Sequence, residues 1–287
     1  MADITVREIL SRAWDRLTAA DIEYAELEAE VLLRHALAPE AALARAGLYS
    51  RLGDAIDDVS IDRYEALIGR RLDHEPSAYI IGRREFYGLD FRVSPDVLIP
   101  RPETELLVET VLKLPAASGR SVIVDVGTGS GAIAIALASA LHQAQLIGTD
   151  ASGPALEIAR YNARRHEYDD RIVFLEGDLL SPLEAPVDVI AANLPYVTTD
   201  DWVALEPELH DHEPRLALDG GADGLDLIRT LLKQAPDYLR PGGALVLEFG
   251  IGQRDAICAL AGDAFPGARI AVQEDLSGIP RVLTIET

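Results

Sequence analysis

The run Val122–Ile123–Val124–Asp125–Val126–Gly127–Thr128–Gly129–Ser130–Gly131, followed at once by Ala132–Ile133–Ala134–Ile135–Ala136–Leu137, constrains this chain more than any other stretch. A short β-branched apolar run reads as a buried strand, and the alanine-rich segment Ile133–Leu141 reads as a buried helix. Three glycines at every second position join them. Such glycines let the chain turn sharply and bring backbone amides close to a ligand near a helix N-terminus. The same rhythm continues through Gln145–Gly148, Ala155–Arg165, Ile172–Leu175 and Val187–Ala191, with a later strand at Ala244–Phe249 and C-terminal candidates at Ile270–Gln273 and Val282–Ile285. Alternating strands and helices predict an α/β fold with a mainly parallel, doubly wound sheet.

Upstream the pattern is helical. Ile9, Leu10, Ala13, Trp14 and Leu17 recur at helical spacing behind Thr5, a residue suited to cap a helix. Leu27, Val31, Ala36 and Leu37 give a second apolar stripe, which Pro39 interrupts. A short helix is expected around Ala41–Ala46, ending at Gly47, and another from about Ile61 to Asp73 with Ser60 as cap. From Tyr79 to Phe91 the character changes, and Phe86–Tyr87–Gly88–Leu89–Asp90–Phe91 predicts a β-hairpin turning at Gly88–Leu89. With 287 residues there is room for one large α/β domain behind a small helical one.

Charge narrows the partners. Residues 1–85 hold 11 Lys/Arg against 17 Asp/Glu, and the remainder holds 15 against 31. Phosphate-backbone binding relies on Lys and Arg displacing counterions, so direct binding to long nucleic acid is disfavoured. No apolar run has the ~20 residues of a membrane span, and the first residues carry scattered charges unlike a secretory signal. The lone cysteine, Cys258, cannot form an internal disulfide. These features point to a cytoplasmic protein.

The loop Gly127–Thr128–Gly129–Ser130–Gly131 is a candidate nucleoside-cofactor site. Asp150 follows Gly127 by 23 residues at the end of the next strand, where a carboxylate can accept hydrogen bonds from both ribose hydroxyls. Two cofactors remain open on this evidence. Gly127-x-Gly129-x-x-Ala132 with Asp150 satisfies a dinucleotide fingerprint as well as an S-adenosyl-L-methionine site. A P-loop is excluded because no Gly-Lys-Ser/Thr follows. At the third strand end, Asp178 is placed to accept from an adenine amino group and Leu179 to cover the ring.

Asn193–Leu194–Pro195–Tyr196, directly after the strand Val187–Ala191, turns the choice towards methyl transfer. A carboxamide nitrogen is a poor nucleophile because its lone pair is delocalised. Two acceptors aimed at its two hydrogens would fix its orientation and favour the charge that develops on nitrogen. The Asn193 side-chain oxygen and the Leu194 main-chain carbonyl are those two acceptors. Pro195 confines Leu194 to extended conformations, and Tyr196 offers a flat wall for stacking. No general base is evident; an activated methyl donor needs none, because the product can lose its proton to solvent.

With these residues in view, the chain resembles the release factor glutamine methyltransferases, the PrmC/HemK family. The resemblance extends over nearly the whole length. It runs through Arg70–Pro76, Tyr79 to Gly88, Leu98–Ile99–Pro100–Arg101–Pro102–Glu103–Thr104–Glu105, the glycine loop, the Asn193 tetrad, Glu213–Leu218, Gly220–Gly224 and Leu247–Gly250. It implies a seven-stranded Rossmann-like class I methyltransferase domain over 101–287, a helical substrate-docking domain over 1–76 and a β-hairpin linker over 77–100. It implies S-adenosyl-L-methionine as cofactor, and as substrate the Gly-Gly-Gln glutamine of class 1 peptide chain release factors, methylated at N5 in translation termination. Gly127 to Gly131, Asp150, Asp178, Leu179 and Asn193 would then contact the cofactor, and Asn193 to Tyr196 would hold the glutamine. The family commonly has proline where this chain has Leu194, a position that contributes its carbonyl.

The tetrad also resembles that of rRNA adenine N6-dimethyltransferases, since the adenine amino group is likewise planar with two hydrogens. An adenine-N6 methyltransferase acting on RNA or DNA is therefore the alternative, with Arg70, Arg71, Arg83 and Arg84 as a candidate basic patch. No metal is expected: His210, His212 and the neighbouring Glu206, Glu208, Asp211 and Glu213 lack metal-site spacing. Glu248 and Asp275 read as structural.

Overall fold

The computed structural model describes residues 4–39 and 43–287, and the chain divides into two compact units, Met1–Gly82 and Arg83–Thr287. In the first unit, α1 (Val6–Ala19) starts as expected at Thr5. The Thr5 hydroxyl accepts from the Glu8 amide and the Glu8 carboxylate accepts from the Thr5 amide at 2.8 Å, a reciprocal cap.

The next helix, α2 (Ala25–Leu37), buries Ala36 of the expected stripe but turns Leu27 outward. Ala25, Ala29, Leu32, Leu33 and Ala36 point inward, while Leu27 is 48% exposed. Small alanines let neighbouring helices approach closely, so packing selects the narrower face. A short helix, α3, lies at Arg45–Tyr49 and runs through Gly47, where the helix was expected to end; residues 41 and 42 of the expected Ala41–Ala46 lie outside the described residues. Buried Leu48 anchors it, and buried Glu30 accepts from Arg45 at 2.7 Å and from Tyr49.

In α4 (Asp58–Leu72) the cap is Asp57, whose carboxylate accepts from the Ser60 amide at 2.9 Å. Ser60, expected as the cap, is therefore inside the first turn. Ser77–Ile81, expected to begin a linker, instead forms α5, which packs on α2 and α4 and ends at left-handed Gly82.

The second unit opens with the hairpin β1 (Arg83–Phe86) and β2 (Leu89–Arg92). Its turn is Tyr87–Gly88, one residue earlier than expected. Both residues have positive φ, 52° and 74°, the left-handed pair that matches the twist of a two-residue hairpin. Buried Asn162 binds the Arg92 backbone in both directions, accepting at 2.8 Å and donating at 3.0 Å.

The chain then runs α6 (Glu105–Lys113), β3 (Val122–Val126), α7 (Ala132–Ala140), β4 (Gln145–Asp150), α8 (Gly153–Arg165), β5 (Ile172–Glu176) and β6 (Val187–Ala192). It continues with α9 (Thr199–Val203), α10 (Pro207–His210), α11 (Asp226–Tyr238), β7 (Leu239–Glu248), α12 (Arg254–Ala264), β8 (Arg269–Glu274) and β9 (Pro280–Glu286).

The sheet has seven strands in the order β5-β4-β3-β6-β7-β9-β8. Its first five strands are parallel, and β9 runs antiparallel to both β7 and β8. This is the expected α/β fold with a Rossmann-like seven-stranded sheet. Strand order reverses beside β3: β4 and β5 lie on one side, and the chain then crosses to β6 on the other. Val126 and Ala192 are register partners, so the segments leaving β3 and β6 emerge side by side at the carboxyl edge, where open α/β sheets bind ligands. No helix among the described residues is long and apolar enough to cross a membrane.

Candidate active site

The carboxyl edge of the sheet holds two adjoining cavities. The first is lined by Gly127 and Gly129 after β3, Asp150 to Ser152 after β4, Gly177 to Leu179 after β5, and Asn193 to Pro195 after β6. The second is lined by Arg101, Tyr196, Val197 and Leu205 among others. Leu98, Asn193, Leu194 and Ala217 line both. One pair of consecutive residues, Asn193–Leu194, thus forms part of the wall between two spaces.

The first cavity depends on a backbone brought close to it. Gly127 has φ +72°, and a Cβ there would stand 3.1 Å from the Leu194 side chain, so a larger residue would be strained and would crowd the cradle. The Gly129 amide donates to Asp150 Oδ2 at 2.8 Å and the Ser152 amide to Oδ1 at 2.9 Å. Each carboxylate oxygen keeps further acceptor capacity. Burial raises the Asp150 pKa, and these amides draw it back. Beneath the loop, Asp125 is fully buried and its pKa is pushed up to about 7 by desolvation. Its Oδ2 accepts from the Thr128 hydroxyl at 2.6 Å and from the Ala134 amide, whereas Oδ1 is buried without a partner among the described residues.

In the second cavity Asn193 Nδ2 donates to Thr104 Oγ1 at 3.0 Å. With its nitrogen committed there, the side-chain oxygen is left as the acceptor. Leu194 is buried in the core, which fixes its main chain. The Tyr196 phenol donates to Glu248 Oε1 at 3.3 Å, and its carbonyl accepts from Gln253 Nε2 at 2.9 Å. Desolvation raises the Tyr196 pKa, so the phenol stays protonated. The Gly220–Gly224 segment crosses here: a Cβ on Gly220 would lie 2.6 Å from the Pro195 carbonyl, and only glycine admits that approach.

The rim is tied by Arg101, which pairs with buried Glu213 at 2.5 Å. Burial raises the Glu213 pKa, and Arg101 lowers it again. Trp202 packs against His210, with ring centroids 4.4 Å apart, and carries Arg215 over its ring at 4.1 Å.

Among the residues expected at the cofactor, Gly127, Gly129, Asp150, Asp178, Leu179 and Asn193 come together around the first cavity. Thr128, Ser130 and Gly131 do not line it. Thr128 faces Asp125, Ser130 is buried with its carbonyl accepting from Asn162, and Gly131 lies against Ala159 and Ile135. Their positions follow from alternation: when odd-numbered loop residues face the ligand, the others face the protein. Gly131, one step further on, already belongs to the helix start.

Of the four arginines considered as a basic patch, three face carboxylates, while Arg84 Nε is buried without a hydrogen-bond partner among the described residues. Arg70 pairs with Glu75 at 2.5 Å, and Arg71 is buried against Glu28 at 2.7 Å. Arg83 lies 3.9 Å from Asp90.

Comparison with known proteins fits this geometry. Residues 8–82 match the PrmC N-terminal domain and residues 102–207 the methyltransferase small domain. The chain is 41% identical to a release factor glutamine methyltransferase from Geobacter sulfurreducens, over 89% of this chain and 88% of that protein. It is 44% identical to one from Moorella thermoacetica, over 90% of each. The chain belongs to the release factor glutamine methyltransferase family. A crystal structure of a methyltransferase from Pyrococcus furiosus shares the fold at 20% identity, with a TM-score of 0.53 over 70% of this chain and 90% of that one.

Family membership gives a reason for the Arg101–Glu105 run, which sequence reasoning quoted only as a resemblance. Arg101 lines the second cavity and Thr104 holds the Asn193 amide. Leu98 and Ala217, which close both cavities, likewise sit in quoted family-like stretches that carried no assigned role.

Proposed function

We propose that the protein transfers a methyl group from S-adenosyl-L-methionine to the side-chain N5 of the glutamine in the Gly-Gly-Gln motif of class 1 peptide chain release factors, and that it works in the cytoplasm. Its relatives carry that name over most of their length. The observation that carries the reading is the sharing of Asn193 and Leu194 between the two cavities. A group held by those two residues would lie next to whatever fills the first cavity.

The first cavity suits the cofactor. Gly127 forms a cradle that a Cβ would crowd, and the exposed Asp178 and half-buried Asp150 supply acceptors beside the apolar surface of Leu179. Asp150 would take the ribose hydroxyls, Asp178 the adenine amino group, and the glycine loop the amino-acid portion. When bound, S-adenosyl-L-methionine supplies an electrophilic methyl group on a sulfonium.

The chain's own task is to hold the amide nitrogen. Asn193 Oδ1 and the Leu194 carbonyl accept its two hydrogens, which turns the nitrogen face towards the first cavity and stabilises positive charge as it develops. Pro195 holds the Leu194 carbonyl in place, and the Tyr196 ring, tethered through its phenol, stacks against the amide plane. The product nitrogen releases its proton to solvent.

A protein loop is favoured over a nucleic acid. Arg70 and Arg71 are paired with carboxylates, and Leu216 at the cavity is 62% exposed, an apolar contact for a peptide. Incubation with labelled S-adenosyl-L-methionine and a class 1 release factor tests the assignment, with a Gly-Gly-Glu variant as control. Label is expected on the glutamine of the first alone. Label on both, on neither, or on RNA instead would contradict it.

A further inference from the structure

We infer that Thr104, backed by the Glu248 carboxylate, sets which way round the Asn193 side-chain amide stands and so is a positioning residue for the acceptor site. This rests on the reading of Asn193 given above. An asparagine amide has nearly the same shape when turned by 180°, but its chemistry reverses. In one orientation its oxygen accepts from the substrate NH2. In the other its own N–H groups oppose those of the substrate, and the pair of acceptors is broken.

A hydroxyl alone does not choose between these, because Thr104 can donate or accept. Its surroundings make the choice. Thr104 is 5% exposed and Glu248 1% exposed, so neither exchanges partners freely with water. The Tyr196 phenol already donates to Glu248 Oε1. Oε2 of the same carboxyl is buried and has no hydrogen-bond partner among the described residues. Burial raises this carboxyl to about 7, and the Thr104 and Tyr196 hydroxyls beside it draw it back towards its charged form.

Above about pH 7 the carboxyl is ionised, and an ionised carboxylate only accepts. It draws the Thr104 proton, which leaves Thr104 a lone pair, and that lone pair takes the Asn193 Nδ2 hydrogen at 3.0 Å. Polarity then runs one way, from Asn193 to Thr104 to Glu248, and the Asn193 oxygen is turned to the acceptor cavity. Three separate segments are coupled: the turn before α6, the exit of β6 and the end of β7. Neighbouring strands make this possible, since Ala192 and Leu247 are register partners one residue before Asn193 and Glu248.

The test compares Thr104→Val, which keeps the shape without the hydroxyl, with Thr104→Ser, which keeps the hydroxyl. Steady-state kinetics on the release factor are read beside S-adenosylhomocysteine affinity and the unfolding midpoint. Thr104→Val is expected to lose kcat on the order of 10- to 100-fold, the scale seen for outer-shell partners of reacting groups, with KM and cofactor affinity within about 3-fold. Thr104→Ser is expected to restore kcat to within about 3-fold. Full kcat in Thr104→Val, or equal loss in both variants, would overturn the inference. If Thr104→Val does not fold, Glu248→Gln carries the test: a neutral amide ends the one-way demand on the Thr104 proton, so kcat should fall at unchanged KM, and an unchanged kcat overturns the idea. A wild-type enzyme that leaves Gly-Gly-Gln unmodified removes the functional reading and this inference together. An active wild type with an indifferent Thr104 removes the inference alone.

Discussion

On the inference drawn above, Glu248 should set the pH behaviour of methyl transfer. Burial pushes its carboxyl up to about 7, with Glu103 adding to the rise, while Thr104, Tyr196 and Arg281 draw it down. Arg281 is itself shared with Asp275. Below that value the carboxyl is protonated and no longer demands the Thr104 proton, so the Asn193 amide loses its fixed orientation. Methyl transfer should therefore rise with pH through about 7, as a kcat profile from about pH 6 to about pH 9 would record. Glu248→Gln should be slower throughout and flat across that interval. The same limb in both proteins would assign it to another group. The place of Asn193, Asp150 and Asp178 at the first cavity was legible because each closes or follows a recognisable strand. Thr104 was not: it meets Asn193 across 89 positions of sequence, and no local pattern announces such a contact. Glu248, read as structural, is buried and accepts from the Tyr196 phenol.

The loop after β3 is where one element most directly controls binding. With φ +72° and Leu194 in the way at 3.1 Å, Gly127→Ala should cost backbone strain on the order of 1 kcal/mol and weaken S-adenosylhomocysteine binding at least about 10-fold. Calorimetric titration measures this, and unchanged affinity would mean the loop does not cradle the ligand. The strands β3 to β6 were legible to within a residue or two because buried strands carry continuous apolar runs, whereas β7 begins at Leu239, five residues before the expected Ala244. Helix faces were less so. In α2 the alternatives Leu27/Val31 and Ala25/Ala29 both satisfy helical spacing, and packing alone decides between them. The helix α11 carried Ile228, Leu231, Leu232 and Ala235 at helical spacing, yet Pro236 directly after them reads as a break and hides it.

Across the whole molecule, 48 acidic residues face 26 basic ones, and four carboxyls among the described residues, Glu30, Asp125, Glu213 and Glu248, are buried. Asp125 and Glu248 each have a pKa near 7 when folded, against ordinary values of 3.8 and 4.5. A raised folded pKa means that the folded state holds the proton more tightly. The resulting stabilisation is fully present below the unfolded value and is lost as pH rises through about 7. Urea midpoints should therefore fall between about pH 5 and about pH 8. Asp125→Asn should flatten that fall by up to about 3 kcal/mol, and parallel slopes in the two proteins would contradict this. The parallel half of the sheet was legible from strand–helix alternation. The antiparallel β7-β9-β8 end was not, since strand order depends on contacts far apart in sequence. The apolar runs marked seven strands, and the family resemblance supplied their Rossmann-like arrangement.

The central claim is that two fixed oxygens, one from Asn193 and one from Leu194, make an unreactive amide nitrogen accept a methyl group. Single-turnover methyl transfer from bound S-adenosyl-L-methionine to a release factor, compared between wild type and Asn193→Ala, tests it most directly. The expected result is a rate lower by roughly 10²- to 10³-fold, as when one preorganised partner of a developing charge is removed, with cofactor affinity unchanged. A full rate in Asn193→Ala, with cofactor bound normally, would contradict the account.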